Sequence, residues 1–303
     1  MGVVNILAPR GSRRRIKLRL LLDLVCHPTT IFRRLSPTNF HNARLCATLR
    51  INCPVCGNDA RLNYHFPDIR LRHEHRIGML RETMSCSSCS ATMRQRQMAA
   101  GLLRLIAEKF GDKHDSLRKY RESSHVGLRI LDTDSFSAIS QVLRGTDGYT
   151  HTQFRPGLTN GARLDDGSIN VDLLQIPYGP ECFDVILTSD VMEHIADDER
   201  AHREIFRCLA KNGAYIFTVP FDPCLYKTRA LTQNGGSPGS YFILDEHIHG
   251  DPHSDSGIIA HRIYGQDLMG DLREMGYEVE FYNITQPAQG IFGGDLFIAR
   301  KGA

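Results

Sequence analysis

The chain has 303 residues, 41% of them hydrophobic and 23% charged, with a formal net charge of +3 at pH 7. That length holds two domains with a buried core, and the composition excludes a disordered or fibrous chain. The charge is unevenly spread: residues 1–50 carry ten Lys and Arg against the single acid Asp23, giving +9, and the remainder, with 27 basic and 33 acidic residues, carries −6.

Residues 1–50 therefore read as a basic arm, broken by Pro28 and Pro37. Its longest apolar stretch, Leu18 to Val25, is interrupted by Arg19 and Asp23 and falls far short of the ~20 residues of a membrane span. No small-residue cleavage site follows it, and Ile6 stands where a myristoylation signal would need Ser or Thr. The expected compartment is the cytoplasm, where the nine cysteines act as thiols or metal ligands rather than a disulfide framework. An arm of this charge can make weak contact with an anionic membrane face.

Residues 51–100 hold two C-x-x-C knuckles, Cys53-Pro-Val-Cys56-Gly and Cys86-Ser-Ser-Cys89, separated by 29 residues. Four thiolates from two tight turns suit one tetrahedral zinc ion, with Gly57 supporting the first turn and an inserted hairpin filling the spacer. A redox C-x-x-C opens a helix after a strand, a setting neither pair has. A closed four-sulfur site stabilises its module and leaves no open coordination position for catalysis. His65, His73 and His75 are spare donors in the polar spacer.

From residue 101 onward a larger domain is expected. Met98, Leu102, Leu105, Ile106 and Phe110 recur at helical spacing, which predicts a helix from Met98 to about Tyr120. Strand and helix signals then alternate: a strand over Leu128–Asp132, a short helix over Ser137–Leu143, and weaker strands over Gly148–Phe154 and Ser168–Asp172. A strong strand (Phe183–Thr188), an amphipathic helix (Arg200–Leu209) and a strand (Ala214–Val219) ending at Pro220 follow. Gly265–Met275 reads as a helix, with strands over Tyr277–Ile284 and Asp295–Arg300. This alternation predicts an α/β fold with a Rossmann-like, mostly parallel sheet, and the last two strands, with no helix between them, form an antiparallel pair at one edge.

The stretch 170–221, NVDLLQIPYGPECFDVILTSDVMEHIADDERAHREIFRCLAKNGAYIFTVPF, resembles the central block of type 11 class I S-adenosylmethionine-dependent methyltransferases, and the likeness runs from about residue 126 to the terminus. In that fold ligands sit outside the carboxyl ends of the strands where the strand order reverses. The resemblance implies that Asp132, Asp134 and Ser135 after the first strand face the cofactor's amino-acid end. It places Gln153 after the second strand at the ribose, Asp172 and Leu173 after the third at the adenine, and Asp190 after the fourth beside the crevice. The chain departs from the pattern twice. Its loop reads LDTDSFSAIS, with Asp134, Phe136 and Ala138 where the family has glycines, and Gln153 stands where a carboxylate is usual.

His194, just after the fourth strand, is the candidate general base for an acceptor hydroxyl or amine. Residues 222–264, with NGGSPGS and His247-Ile-His249-Gly-Asp-Pro-His253, read as a long polar segment contributing a lid or part of the acceptor pocket. The reading is methyl transfer to a small-molecule or glycan acceptor. A non-catalytic methyltransferase-fold scaffold is the alternative. RNA is a third possibility, raised by the basic arm and zinc module but opposed by the lack of N/D-P-P-Y after the fourth strand.

Overall fold

In a computed structural model of the chain, residues 37–65, 78–123, 127–234, 241–243, 248–251 and 254–302 are described. The readings that rest on residues 1–36, on His73 and His75, on most of NGGSPGS and on His247 and His253 lie outside these residues. No helix among the described residues is long and apolar enough to cross a membrane.

The first part of the chain is a small module. Helix α1 (Pro37–Thr48) packs on a three-stranded antiparallel sheet of β1 (Arg50–Asn52), β2 (Asp59–Tyr64) and β3 (Met84–Cys86), in the order β1-β2-β3. A short helix α2 (Gly78–Thr83) leads directly into β3. Within the spacer between the cysteine pairs, β2 pairs antiparallel with β3, which carries Cys86, and the connection between them includes α2 rather than a tight turn.

Helix α3 (Met93–Phe110) carries the chain into the larger unit and crosses the expected boundary at residue 100. Thr92 and Gln95 form a reciprocal capping box at its start. The helix expected to run to Tyr120 is two helices. Gly111, at φ 75°, ends α3 in the left-handed conformation that only glycine adopts freely. Ser116 then caps α4 (Leu117–Glu122) by accepting from the Lys119 N–H.

The central sheet comprises β4 (Ile130–Asp132), β5 (Tyr149–Gln153), β6 (Ile169–Asn170), β7 (Phe183–Ser189), β8 (Leu209–Thr218), β9 (Tyr277–Phe281) and β10 (Phe297–Lys301). Its order is β9-β10-β8-β7-β4-β5-β6. Strands β4 to β8 pair in parallel, whereas β10 is antiparallel to both β8 and β9. This is the class I methyltransferase arrangement, and the antiparallel edge pair is where the sequence put it.

Residues alternate between the two faces along each strand. On one face Val185, Leu187, Ile216 and Ile298 meet Leu102 and Ile106 of α3. On the other, Ile186, Tyr215 and Phe217 meet Ala201 and Ile205 of α6 (Asp198–Cys208) and Leu272 of α7 (Asp267–Glu274). Because both faces are covered, the middle of β7, Val185–Leu187, is apolar on both sides. The first of these cores also takes in Ile51, Val55, Leu62 and the cysteines of the small module, so module and sheet share one interior.

Between β8 and α7 the chain forms short antiparallel ladders: Arg229–Ala230 with Arg262–Ile263, Thr232–Asn234 with Tyr241–Ile243, and Ile248–Asp251 with Ser254–Ile259. Strand β4 lies between β5 and β7, so the chain order reverses beside it. Any ligand crevice is expected at its carboxyl end.

Candidate functional site

The loop leaving β4 is built from side-chain contacts in place of glycine turns. Asp132 is buried; its Oδ2 accepts from the Tyr149 hydroxyl at 2.6 Å and its Oδ1 from the Asp134 N–H at 3.0 Å. Burial, and after it the neighbouring Asp134, pushes the Asp132 carboxyl up to about 7. Asp134 Oδ1 accepts from the Phe136 N–H, and Ser137 caps α5 (Ala138–Leu143) by accepting from the Ser140 N–H. None of residues 132–138 has a positive φ. The loop follows a path open to L-residues, which is how Asp134, Phe136 and Ala138 occupy positions expected for glycine. Ser135 is buried within it.

At the end of β5, the Gln153 amide is committed to the protein. Its Nε2 donates to Asp166 Oδ2 at 2.7 Å and to Ser168 Oγ at 2.8 Å, and its Oε1 accepts from the Arg155 guanidinium at 3.2 and 3.3 Å. With both amide hydrogens used, Gln153 ties the end of β5 to the turn before β6. Asp172 follows β6; its Oδ1 accepts from the Leu174 N–H at 2.9 Å while its own N–H donates to Asn160 Oδ1. Leu173 beside it is buried.

The turn after β7 is the most heavily braced element at this edge. Asp190 sits at φ 51°, outside the ordinary range for a non-glycine residue. Its carboxylate accepts both terminal nitrogens of Arg81, each at 2.6 Å, and the Thr218 hydroxyl at 2.9 Å. Arg94 Nε lies 3.5 Å from Asp190 Oδ2, its Nη1 donates to Ser189 Oγ, and its Nε donates to Glu82 at 2.6 Å. Burial alone would raise the Asp190 carboxyl, but Arg81 and Arg94 hold it well below the usual carboxylate range. Arg94 also lies close enough to Asp134 to offset part of the rise that burial causes there.

Farther along the turn, His194 Nδ1 is 2.8 Å from Ile259 O, and its Nε2 is 3.6 Å from Oε1 of the buried Glu193. The His261 N–H donates to Glu193 O at 2.6 Å. Ile259 ends the strand paired with Ile248–Asp251, so the ladder carrying His249 and Asp251 adjoins the His194 turn. Asp132, Asp134, Asp190 and His194 are therefore brought to one edge of the sheet. Arg81 and Arg94 join them there from more than ninety residues away, and neither stands in a motif that would have drawn notice in the sequence.

The four expected metal ligands do converge. The sulfurs of Cys53, Cys56, Cys86 and Cys89 lie within 4.8 Å of one another, with Cys53–Cys89 at 3.7 Å and Cys56–Cys86 at 4.0 Å. A tetrahedral ion with metal–sulfur bonds near 2.3 Å separates its ligand sulfurs by ~3.8 Å, so the donor set fits such an ion. Gly57 closes the first knuckle at φ 74°, and a Cβ there would stand 2.6 Å from Ser116 Oγ. Contact with Cys86 pushes the Cys53 thiol up to about 12, while Cys86 itself is lowered. Arg96 lies buried beside them. Its guanidinium donates to Ala91 O at 2.6 Å and Gly290 O at 2.9 Å, linking the module to the C-terminal part of the sheet.

Among families of known proteins, the methyltransferase domain model matches residues 151–217, from within β5 to the end of β8. No curated protein matches the chain. Solved structures with a similar arrangement include an S-adenosylmethionine-dependent methyltransferase from Mesorhizobium loti (18% identity, 61% of this chain and 95% of that one, TM-score 0.37). Another is the sugar N-methyltransferase KedS8 from Streptoalloteichus (15% identity, 66% and 92%, TM-score 0.37). A third is 1,6-didemethyltoxoflavin-N1-methyltransferase from Burkholderia thailandensis, solved with its substrate and S-adenosylhomocysteine (13% identity, 67% and 85%, TM-score 0.33).

Proposed function

We propose that the chain binds S-adenosylmethionine at the carboxyl edge of its sheet and transfers the methyl group to a small-molecule or glycan acceptor. The observation that carries this reading is the placement of the Asp132–Ser135 loop, the Asp172–Leu173 turn and the Asp190–His194 turn after β4, β6 and β7. They flank the point where the strand order reverses, in the part of the chain that includes the methyltransferase match. In this reading Asp134 and Ser135 face the cofactor's amino-acid end, and Asp172 and Leu173 its adenine. The acceptor's nucleophilic atom attacks the methyl carbon in line as the carbon–sulfur bond breaks, leaving S-adenosylhomocysteine. In this reading His194 takes the acceptor's proton. A backbone carbonyl only accepts, so a hydrogen bond to Ile259 O puts a proton on Nδ1 and turns Nε2 toward Glu193. The turn Ser189–His194 reads SDVMEH, without the N/D-P-P-Y sequence of enzymes acting on nucleobase amines, which favours a small-molecule or glycan acceptor over RNA. Cys53, Cys56, Cys86 and Cys89 would hold a structural zinc ion.

Calorimetric titration of the full chain with S-adenosylmethionine and S-adenosylhomocysteine tests the reading. A single-site heat is expected. A second reading, a methyltransferase fold without the chemistry, is favoured by the commitment of the Asp190 carboxylate to Arg81 and of the Gln153 amide to its neighbours. No heat at millimolar cofactor would make that second reading the correct one.

A further inference from the structure

Arg81 and Arg94 share a placement that their sequence positions explain. Arg81 precedes Cys86 by five positions, on α2, which runs directly into β3 and its cysteine. Arg94 follows Cys89 by five, in the first turn of α3, which Thr92 caps. The second knuckle thus lies between the two arginines and sets the directions in which both segments leave it. The Cys86 N–H donates to Ala91 O, and the Ser90 N–H to Cys86 O, so the knuckle's backbone is closed on itself at the point where α3 begins.

Both guanidinium groups then reach the turn after β7. Arg81 takes Asp190 with two parallel bonds of 2.6 Å, a geometry that fixes orientation as well as distance. Arg94 bonds Ser189 and is itself fixed by Glu82, the residue next to Arg81. Asp190, at φ 51°, and its neighbour Ser189 at the end of β7 are therefore held by two arginines from one module, and Asp134 of the β4 loop lies within electrostatic reach of Arg94. A half-buried carboxylate in a left-handed backbone keeps that conformation only while its surroundings over-determine it.

We propose that Arg81 and Arg94 are positioning residues through which the cysteine knuckle sets the shape of the crevice: they hold the Ser189–His194 turn in place, and loss of the metal from the knuckle releases that turn. The inference rests on the metal-binding reading of the cysteines. It rests on the cofactor reading of the crevice only for its binding arm.

The experiment is hydrogen exchange on the full chain, loaded with zinc and then stripped with a chelator, with peptides covering Ser189–His194 read against β9 as an internal control. Metal removal is expected to speed exchange of the turn by about tenfold or more while β9 keeps its protection. Should chelation unfold the whole chain, Arg81→Gln in the zinc-loaded protein is the deciding variant. It is expected to give the same loss in the turn alone, with Arg81→Lys, which keeps the charge but not the two-pronged bond, falling in between. Unchanged exchange of the turn in zinc-loaded Arg81→Gln overturns the proposal, as does a stripped chain that is labile only at residues 86–90. In a parallel titration with S-adenosylhomocysteine, Arg81→Gln is expected to bind about tenfold more weakly than the parent chain. If the parent chain itself does not bind, the cofactor reading fails while the exchange measurements still decide this inference.

Discussion

Tyr149 donates its phenol hydrogen to Asp132 across two neighbouring parallel strands, at 2.6 Å; Asp132 is buried and Tyr149 half-buried. The bond stabilises the ionised carboxylate, yet burial outweighs it and holds the Asp132 carboxyl near 7. Burial therefore favours the protonated form of this residue at the end of β4.

A stability consequence follows, with a definite sign. Asp132 binds its proton more tightly in the folded chain than in the unfolded one. Its contribution is therefore full below about pH 4 and is lost as pH rises through about 7. The contribution at stake is on the order of 2–4 kcal/mol. Denaturant melts of the parent chain and Asp132→Asn between pH 5 and 8 are expected to diverge, with the parent losing stability more steeply. Parallel pH profiles would show that Asp132 titrates normally. The difference between the two proteins isolates Asp132 from groups of opposite sign, such as Asp184, which Arg129 and Lys109 hold down at about 2.

The metal site gives a second expectation. Protein prepared without chelator should carry about one zinc ion per chain by elemental analysis, and Cys53→Ser or Cys86→Ser should destabilise the module because metal binding there is folding free energy. Arg96 sharpens the test. It is a buried cation within electrostatic reach of the cysteines and bonds Gly290 O from across the interface. Arg96→Met should lower stability by about 1–3 kcal/mol, measured by denaturant melt with zinc present. A neutral result would mean that the guanidinium only fills space.

Much of this architecture was legible in the sequence because it is local. The strand Phe183–Thr188, the amphipathic helix after it and the strand that ends at Pro220 are each read within a few residues, whereas the break at Gly111 inside the helix expected to run to Tyr120 was not. The cysteine spacing likewise carried its geometry with it. What could not be read is what depends on distant partners. Nothing near Gln153 indicates that Asp166 and Ser168 will consume its amide. Nothing near Asp190 indicates Arg81, which lies 109 positions earlier. The glycine-poor β4 loop shows the same limit: the missing glycines were plain, but the Asp132–Tyr149 and Asp134–Phe136 bonds that replace their turn require the fold.

His194 supplies a third prediction. The bond to Ile259 O anchors its ring, so removing the imidazole without that anchor would disturb the turn as well as the chemistry. His194→Asn retains an N–H for the carbonyl and lacks the basic nitrogen. In steady-state assays with an acceptor found by screening, it is expected to lower kcat by about 100-fold or more, while the cofactor Kd stays within about twofold. An unchanged kcat would restrict His194 to holding the ladder that ends at Ile259.

The last prediction separates two polar residues that the sequence placed in the same crevice. Asp172 keeps one carboxylate oxygen on the Leu174 N–H, which leaves the other oxygen's lone pairs for a ligand amine. Gln153 has no amide hydrogen left to offer, since both go to Asp166 and Ser168. Asp172→Ala should therefore weaken cofactor binding by about 1–3 kcal/mol through loss of a charge-assisted hydrogen bond. Gln153→Ala should leave that affinity nearly unchanged and instead lower stability by about 1–3 kcal/mol, because it removes the bonds to Asp166 and to the buried Ser168 hydroxyl and loosens the turn before β6. Calorimetry with S-adenosylhomocysteine and denaturant melts on the same two variants give the comparison. If Gln153→Ala loses affinity while keeping its stability, the amide contacts the ribose after all, and Asp166 and Ser168 serve to orient it.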